Sequence, residues 1–341
     1  MTGPDGGSPG GGSGVPRAVA LTPILSARYR LEHLKAIRTA AAGAALIAVS
    51  ADGHADRPLD EVEVLLCGRL TPEALDWIVA RSPRLRWIHS ISAGVEHLLI
   101  PAVLARGIEV TNARGVFSRP IAEYVLLMIL AVSRRLPELA TLQAERTWQP
   151  LAGREMRELS VGVVGFGSIG RAVAELAATF GCQVIATRRH AGPGPTEPVP
   201  AGITVLAADR LADLLALADF VVLAAPLTPE TDGLIDDDAL GQMKRGAWLI
   251  NVARGRLVDE HALVRALQEG RIGGAVLDTF REEPLPAGSL LWDLPNAIVT
   301  PGMSWSSGAV LDRSVELFCD NLRRYAAGEP LANVVDPAAG Y

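Results

Sequence analysis

Short, continuous apolar runs that alternate with helical patterns constrain this chain more than any other feature. Five of them fall in the first third: AVALT (18–22), ALIAVS (45–50), VEVLLC (62–67), LRWIHS (85–90) and IEVTN (108–112). Between them lie a helical pattern at 27–42, a helix opened by Thr71-Pro72-Glu73 and another near 95–106. Apolar runs of this length without alternation read as strands buried on both faces, which means a parallel sheet. A long helix is expected from about 118 to 135, with Pro120 in its first turn and apolar side chains at Ile121, Val125, Met128, Ile129 and Val132. Pro137 reads as its end, and 137–155 as an extended arm. A second series begins at Ser160: VGVVG, QVIAT, ITVLA, FVVLAA, AWLINVA, GAVLD and AIVTP, with the Gly/Pro loop AGPGPTEPVPAG between its second and third members. A helix is expected from about 306 to 327, and LANVVDP then runs extended. This order predicts two doubly wound parallel-sheet domains. One comprises 17–111 and 306–341, the other 112–305, with a ligand cleft between them.

With 341 residues the chain is long enough for two cores, and 49% hydrophobic with 21% charged residues is a globular composition. A net charge of −6 gives no electrostatic reason to expect nucleic acid. Cys67, Cys182 and Cys319 are odd in number and have no metal-ligand spacing, so we expect reduced, buried thiols and no metal. Residues 1–16 (MTGPDGGSPGGGSGVP) have neither a basic start nor an apolar core and read as a disordered tail. YVLLMILAV is too short to span a bilayer, so no membrane partner is expected and the cytoplasm is the expected compartment.

The motif Gly165-Phe166-Gly167-Ser168-Ile169-Gly170 follows the strand SVGVVG and opens the helix SIGRAVAELAATFG. A GxGxxG alone is weak, but this context is the one a dinucleotide site requires. Gly165 allows the tight turn, Gly167 lets the backbone approach a pyrophosphate, and Gly170 lets helix and strand pack. The amides of Ser168 and Ile169 then face the phosphates with the helix dipole behind them. In NAD sites an acid about 20 residues further on reads the ribose. Here QVIAT runs into Thr187-Arg188-Arg189-His190, with no acid and two arginines where a 2′-phosphate would sit. Arginine offers phosphate a charge-assisted fork, which favours NADP over NAD. A solvated basic loop tip is the other reading.

With these motifs in hand, the stretch from about 62 to 337 resembles the D-isomer-specific 2-hydroxyacid dehydrogenases, a family that includes glyoxylate/hydroxypyruvate reductases. SAGVEHL (92–98), GFGSIG, PLTPETDGLID (226–236), INVARGRLVDE (250–260) and AVLDTFREEPLP (275–286) carry the resemblance, in the right order. It implies a Rossmann cofactor domain and a flavodoxin-like substrate domain, hydride transfer between NAD(P) and a small 2-keto or 2-hydroxy carboxylate, and a homodimer. Apolar Leu136, Leu139, Leu142, Trp148 and Leu151 on the arm fit such an interface. By resemblance, Arg254 would bind the substrate carboxylate, and Ala93, Gly94 and Val95 would form the loop whose amides join it. Asp278 would hold the nicotinamide carboxamide, and Pro226, Thr231 and Val252 would line the cofactor groove. Glu283 would orient a catalytic histidine and raise its pKa.

That histidine is missing. The family's Pro-His-x-Ser pattern is matched by Pro301-Gly302-Met303-Ser304, so Gly302 stands at the ring's position. Of the six histidines (33, 54, 89, 97, 190 and 261), none lies in an equivalent motif, although His89 and His97 flank the substrate loop. Three readings remain open: an engineered substitution, a natural change suited to a substrate that supplies its own proton, or a non-catalytic NADP(H)-binding sensor. Arg69, after VEVLLC, is a candidate for a second anionic group and equally a solvated loop residue.

Overall fold

The computed structural model describes residues 14–23, 29–68, 70–189 and 198–337. Residues 1–13 of the expected tail, 27–28 of the first expected helix, Arg69 and His190 lie outside the described residues. The chain divides into two compact units, 1–116 with 308–341, and 117–307.

The first unit is built on strands β1 (Ala18–Leu21), β2 (Ala45–Ala48), β3 (Val62–Cys67), β4 (Trp87–Ser90) and β5 (Glu109–Thr111). All pairs are parallel, in the order β2-β1-β3-β4-β5, which is the flavodoxin-like arrangement. Successive residues of one strand feed opposite cores. Ala18 and Ala20 join Leu65, Cys67 and Ile88 on one face, while Val19 and Leu21 join Val64, Leu66 and Trp87 on the other. That double burial is why these strands read as unbroken apolar runs. The second face is closed by helices Leu31–Ala40 and Val310–Ala327, which contribute Ile37, Phe318, Cys319, Leu322 and Tyr325. Helix Pro72–Arg81 is capped as expected, with the Thr71 hydroxyl accepting from the Ala74 amide at 3.2 Å.

The second unit carries seven strands: β6 (Ser160–Val164), β7 (Gln183–Arg188), β8 (Ile203–Ala207), β9 (Phe220–Leu223), β10 (Trp248–Asn251), β11 (Gly274–Leu277) and β12 (Ala297–Val299). They pair in parallel in the order β12-β11-β10-β9-β6-β7-β8. Counted within the unit this is the Rossmann order 3-2-1-4-5-6 with one further strand, and the direction of winding reverses between β6 and β9.

Several segments depart from their expected extents. The helix near 95–106 shrinks to Pro101–Ala105, because Pro101 is tolerated at a first helical position and not in an interior. The last helix begins at Val310 rather than 306. The arm at 137–155 is not extended throughout: the long helix Ser118–Ser133 ends before Arg135, which takes φ 58°, and a new helix runs from Leu136 to Ala144. Pro137 therefore opens a helix instead of closing one. Its missing N–H costs nothing in a first turn, and sequence alone does not tell the two roles apart.

Candidate functional site

Strand register sets the site. Val164, Leu223, Asn251, Leu277 and Val299 are successive partners across β6, β9, β10, β11 and β12, and Thr187 on β7 is level with Val164. The chain leaves the carboxyl ends of these parallel strands immediately beyond that line. Gly165, the 224–231 loop, Val252 to Arg254, Asp278 and Thr300 to Gly302 thus emerge along one edge of one sheet. An open parallel sheet binds ligands outside this edge, at the point where the winding reverses.

At that point the glycine loop is packed against the loop after β9. Gly165 adopts φ +99°, and a Cβ there would lie 2.6 Å from the Ala225 nitrogen. A Cβ on Gly170 would lie 1.9 Å from the Gly165 carbonyl oxygen, so helix and strand meet backbone to backbone. Gly167 is different: nothing lies within 4 Å of its Cβ position, and it is the N-cap of helix Ser168–Thr179. An open approach to unsatisfied first-turn amides, those of Ser168 and Ile169 among them, is what a pyrophosphate needs. These residues fit a dinucleotide. Thr187 is buried near the end of β7, and its carbonyl accepts from the Gly165 amide at 3.0 Å. Arg188 ends the strand half-buried and Arg189 is exposed. The Glu230 carboxyl is held below its ordinary range, chiefly by the Thr228 hydroxyl and in small part by the charge of Arg189.

That loop is knotted by Thr231. Its Oγ1 donates to the Pro226 carbonyl at 2.7 Å and accepts from the Thr228 amide at 2.8 Å. The Gly233 and Ile235 amides then donate to the Arg256 and Leu257 carbonyls, tying this loop to the turn that carries Arg254. The turn itself is organised by Asn251, buried to 1% exposure, a residue the sequence reading missed. Its Nδ2 donates to the Arg254 carbonyl at 2.9 Å, and its Oδ1 accepts from the Ala253 amide at 3.1 Å. Gly255 follows because a Cβ there would sit 1.9 Å from the Phe280 carbonyl carbon. Val252 is buried beside this turn, and Arg254, half-buried, donates from Nη1 to the Ala253 carbonyl at 2.9 Å.

Asp278 is 2% exposed, and the segment after β12 wraps around it. Oδ1 accepts from the Thr300 hydroxyl at 2.6 Å and the Met303 amide at 2.8 Å, and Oδ2 accepts from the Ser304 amide at 2.8 Å. Since Thr300 spends its proton on Asp278, Tyr124 donates to Thr300 Oγ1, at 2.6 Å. Burial, and to a lesser degree the Asp278 charge, pushes the Tyr124 phenol up to about 12. Sequence reading gave this chain no role, because Tyr124 sits in a run of apolar helix positions. Gly302 lies inside the loop that Asp278 holds, at φ +65°, with its amide donating to the Thr300 carbonyl at 3.1 Å. The Glu283 carboxylate is exposed, and its Oε1 accepts from the Phe280 amide at 3.1 Å.

In the first unit the loop 92–98 is also pre-formed. The carbonyls of Ser92, Ala93 and Gly94 accept from the Ala113 amide, Asn112 Nδ2 and the Ser92 hydroxyl. The Gly94 and Val95 amides meet no acceptor among the described residues. A pair of adjacent amides without acceptors suits an anion such as a carboxylate. His89 is fully buried, and burial pulls its imidazole down to about 3. Its Nδ1 is bonded to Thr111 at 2.7 Å, and its ring packs near Trp87 and Phe318, so it is a core residue.

A glycine-loop cradle with an arginine turn and a carboxylate on neighbouring strand ends fits a dinucleotide site of the doubly wound class. The chain belongs to the D-isomer specific 2-hydroxyacid dehydrogenases: residues 126–304 match the model of that family's NAD binding domain. It is 36% identical over 282 residues to the glyoxylate reductase of Thermofilum pendens, covering 80% of each chain. It is 37% identical over 265 residues to the D-3-phosphoglycerate dehydrogenase of Mycobacterium bovis, covering 77% of this chain and 49% of that one. The chain thus spans about half the length of the curated phosphoglycerate dehydrogenases it matches. Among solved structures it resembles a D-isomer specific 2-hydroxyacid dehydrogenase of Xanthobacter autotrophicus in complex with NADPH and MES. That match has a TM-score of 0.83 and 34% identity, over 94% of this chain and 99% of that one. The family assignment therefore holds, and the sensor alternative gains no support from these relatives. No helix among the described residues is long and apolar enough to cross a membrane.

Proposed function

We propose that the chain transfers hydride between NADP(H) and the 2-position of a 2-keto or 2-hydroxy acid or a related carbonyl compound. The observation that carries this is the register. The dinucleotide cradle, Arg254, Glu283 and the Asp278-held loop all leave the same edge of one parallel sheet. The bound nicotinamide supplies a hydride donor or acceptor. Gly165, Gly167, Ser168, Ile169 and Gly170 hold its pyrophosphate, Thr187, Arg188 and Arg189 the adenosine end, and Pro226, Thr231, Val252 and Asp278 the groove. Arg254 binds the substrate carboxylate, a role its planar fork suits, and the Gly94 and Val95 amides are offered to a carboxylate. Gly302 occupies the place of the family's catalytic histidine. The experiment is a nicotinamide-oxidation screen across 2-keto acids. Failure of every 2-keto acid to oxidise a cofactor that binds removes the reading.

Preference for NADP(H) rests on Arg188 and Arg189 in the absence of an acid. A charge-assisted contact to the 2′-phosphate contributes about 1.5–3 kcal/mol, so NADPH should bind on the order of 10- to 150-fold more tightly than NADH. Fluorescence titration should show that advantage shrinking in Arg188→Ala and Arg189→Ala, with NADH affinity hardly changed. Equal affinities for the two cofactors in the unsubstituted protein refute the preference.

The chain also acts as a homodimer in the cytoplasm. The compartment is supported by three free, buried cysteines. The dimer is supported by helix Leu136–Ala144, which buries no residue of its own, and by exposed Leu127, Leu136, Leu139 and Trp148, the last at 100%. Sedimentation at micromolar concentration should give twice the chain mass, and Trp148→Glu with Leu139→Glu should give the monomer. A monomeric unsubstituted protein removes the claim.

A further inference from the structure

The bonds that hold the 92–98 loop lead back to the C-terminal segment, all within the first unit. Strands β4 and β5 are parallel neighbours, with His89 level with Thr111. The chain beyond them, Ile91 to Leu98 and Asn112 to Val116, therefore leaves the same edge of that sheet. Asn112, 7% exposed, joins the two loops. Its Nδ2 donates to the Ala93 carbonyl at 3.0 Å, and its Oδ1 accepts from the Arg114 amide at 3.1 Å. The Ser92 hydroxyl donates to the Gly94 carbonyl at 3.0 Å. A trans peptide unit is planar, so holding its carbonyl also aims its N–H, in the opposite direction. Asn112 thus sets the direction of the Gly94 amide, and Ser92 that of the Val95 amide.

Asn112 is itself gripped by Asn333. The Asn333 Nδ2 donates to the Asn112 carbonyl at 3.3 Å and to the Arg114 carbonyl at 2.9 Å. Its Oδ1 accepts from Arg114 Nε at 3.3 Å, and its own carbonyl accepts from the Asn112 amide at 3.1 Å. Asn333 does this at φ 59°, a left-handed conformation that asparagine tolerates better than most residues. The turn that carries it is tied to helix Val310–Ala327 by the fully buried Asn321, whose Nδ2 and Oδ1 bond the Ala332 carbonyl and amide at 3.0 and 2.7 Å. We propose that Asn333 is a positioning residue for the substrate: through Asn112 it aims the Gly94 amide at the carboxylate. This rests on the reading that the Gly94 and Val95 amides receive that group. An amide fixed in advance has less freedom to lose when the anion binds, and so holds it more tightly.

The test titrates oxamate, an unreactive 2-oxo carboxylate, into the NADPH-saturated full chain by calorimetry. Asn333→Gly removes the side chain and keeps the left-handed backbone at ease. Asn333→Asp keeps the acceptor for Arg114 and removes both donations. Each should weaken oxamate about 3- to 30-fold and raise KM for pyruvate by a similar factor, with kcat and the NADPH fluorescence titration unchanged. Asn112→Asp, which sets a carboxylate against the Ala93 carbonyl, should lose at least as much. Adding Asn333→Gly to it should then cost little more, because both act through one bond. Unchanged oxamate affinity in the two Asn333 variants overturns the inference, and so do losses that add in full in the double variant. If oxamate and NADPH affinity fall together in both Asn333 variants, the segment only stabilises the fold and the inference is again overturned. If the unsubstituted chain binds NADPH but neither oxamate nor pyruvate, the carboxylate reading falls and takes the inference with it.

Discussion

Arg254→Ala should leave cofactor binding intact and cost nearly all measurable affinity for a 2-keto carboxylate. Truncating one partner of a desolvated, hydrogen-bonded charge pair costs about 2–5 kcal/mol, on the order of 30- to several-thousand-fold in affinity. The turn should survive the loss, because it is not built on the guanidinium. Asn251 holds the Arg254 carbonyl and the Ala253 amide, and Gly255 is seated against Phe280 by backbone contact. One contact given up is that from Nη1 to the Ala253 carbonyl, which is local. The dinucleotide cradle lies on β6 and β7, while Arg254 follows β10, with β9 between them in the sheet. Calorimetric titration of the cofactor-loaded protein with pyruvate measures the substrate term, and NADPH fluorescence measures the other. Arg254→Lys should recover only part of the loss, since an ammonium restores the charge without the fork. Unchanged substrate affinity in Arg254→Ala means that another group holds the carboxylate. A parallel loss of NADPH affinity means that the turn has collapsed.

Much of this arrangement was legible because it is local. Buried parallel strands announce themselves as unbroken apolar runs, and every run of the second series became a strand. The glycine loop was legible for the same reason: the turn, the N-cap and the helix–strand approach all involve residues within six positions of one another. Helix ends were less legible wherever proline was the marker. Pro137 is compatible with closing one helix and with opening another, and the φ of Arg135 decides between them. Least legible was the support of the Gly302 loop. Tyr124 and Thr300 are 176 residues apart, and Thr300 and Asp278 are 22 apart. Nothing in the local pattern around Tyr124 separates a proton donor from another apolar face residue. Asn251 carried a fainter signal, as a polar residue closing a buried strand beside an arginine turn. A buried amide in such a place must find partners, and here both of its ends hold the turn.

The last expectation concerns Gly302→His. If Gly302 stands where the family's catalytic histidine does, a histidine there should supply a general acid, which typically contributes 10²- to 10⁴-fold. Reduction of pyruvate should therefore accelerate, but by less than the full factor. Gly302 sits at φ +65°, a left-handed conformation that costs a non-glycine residue about 1–2 kcal/mol. Histidine is among the side chains that tolerate it best. A Cβ itself is accommodated, since it meets only the Asp278 carbonyl oxygen, at ordinary contact distance. The strain is borne by the folded state, so thermal unfolding should fall by a few degrees. The loop cannot relax far to escape it, because Thr300, Met303 and Ser304 are all bonded to Asp278. Gly302→Ala separates the two effects: it should show the same loss of stability with no gain in rate. Steady-state kinetics at saturating NADPH give a gain on the order of 10- to 10³-fold for histidine and none for alanine. If both variants reduce pyruvate no faster than the unsubstituted chain, then Gly302 is not the place of a missing acid.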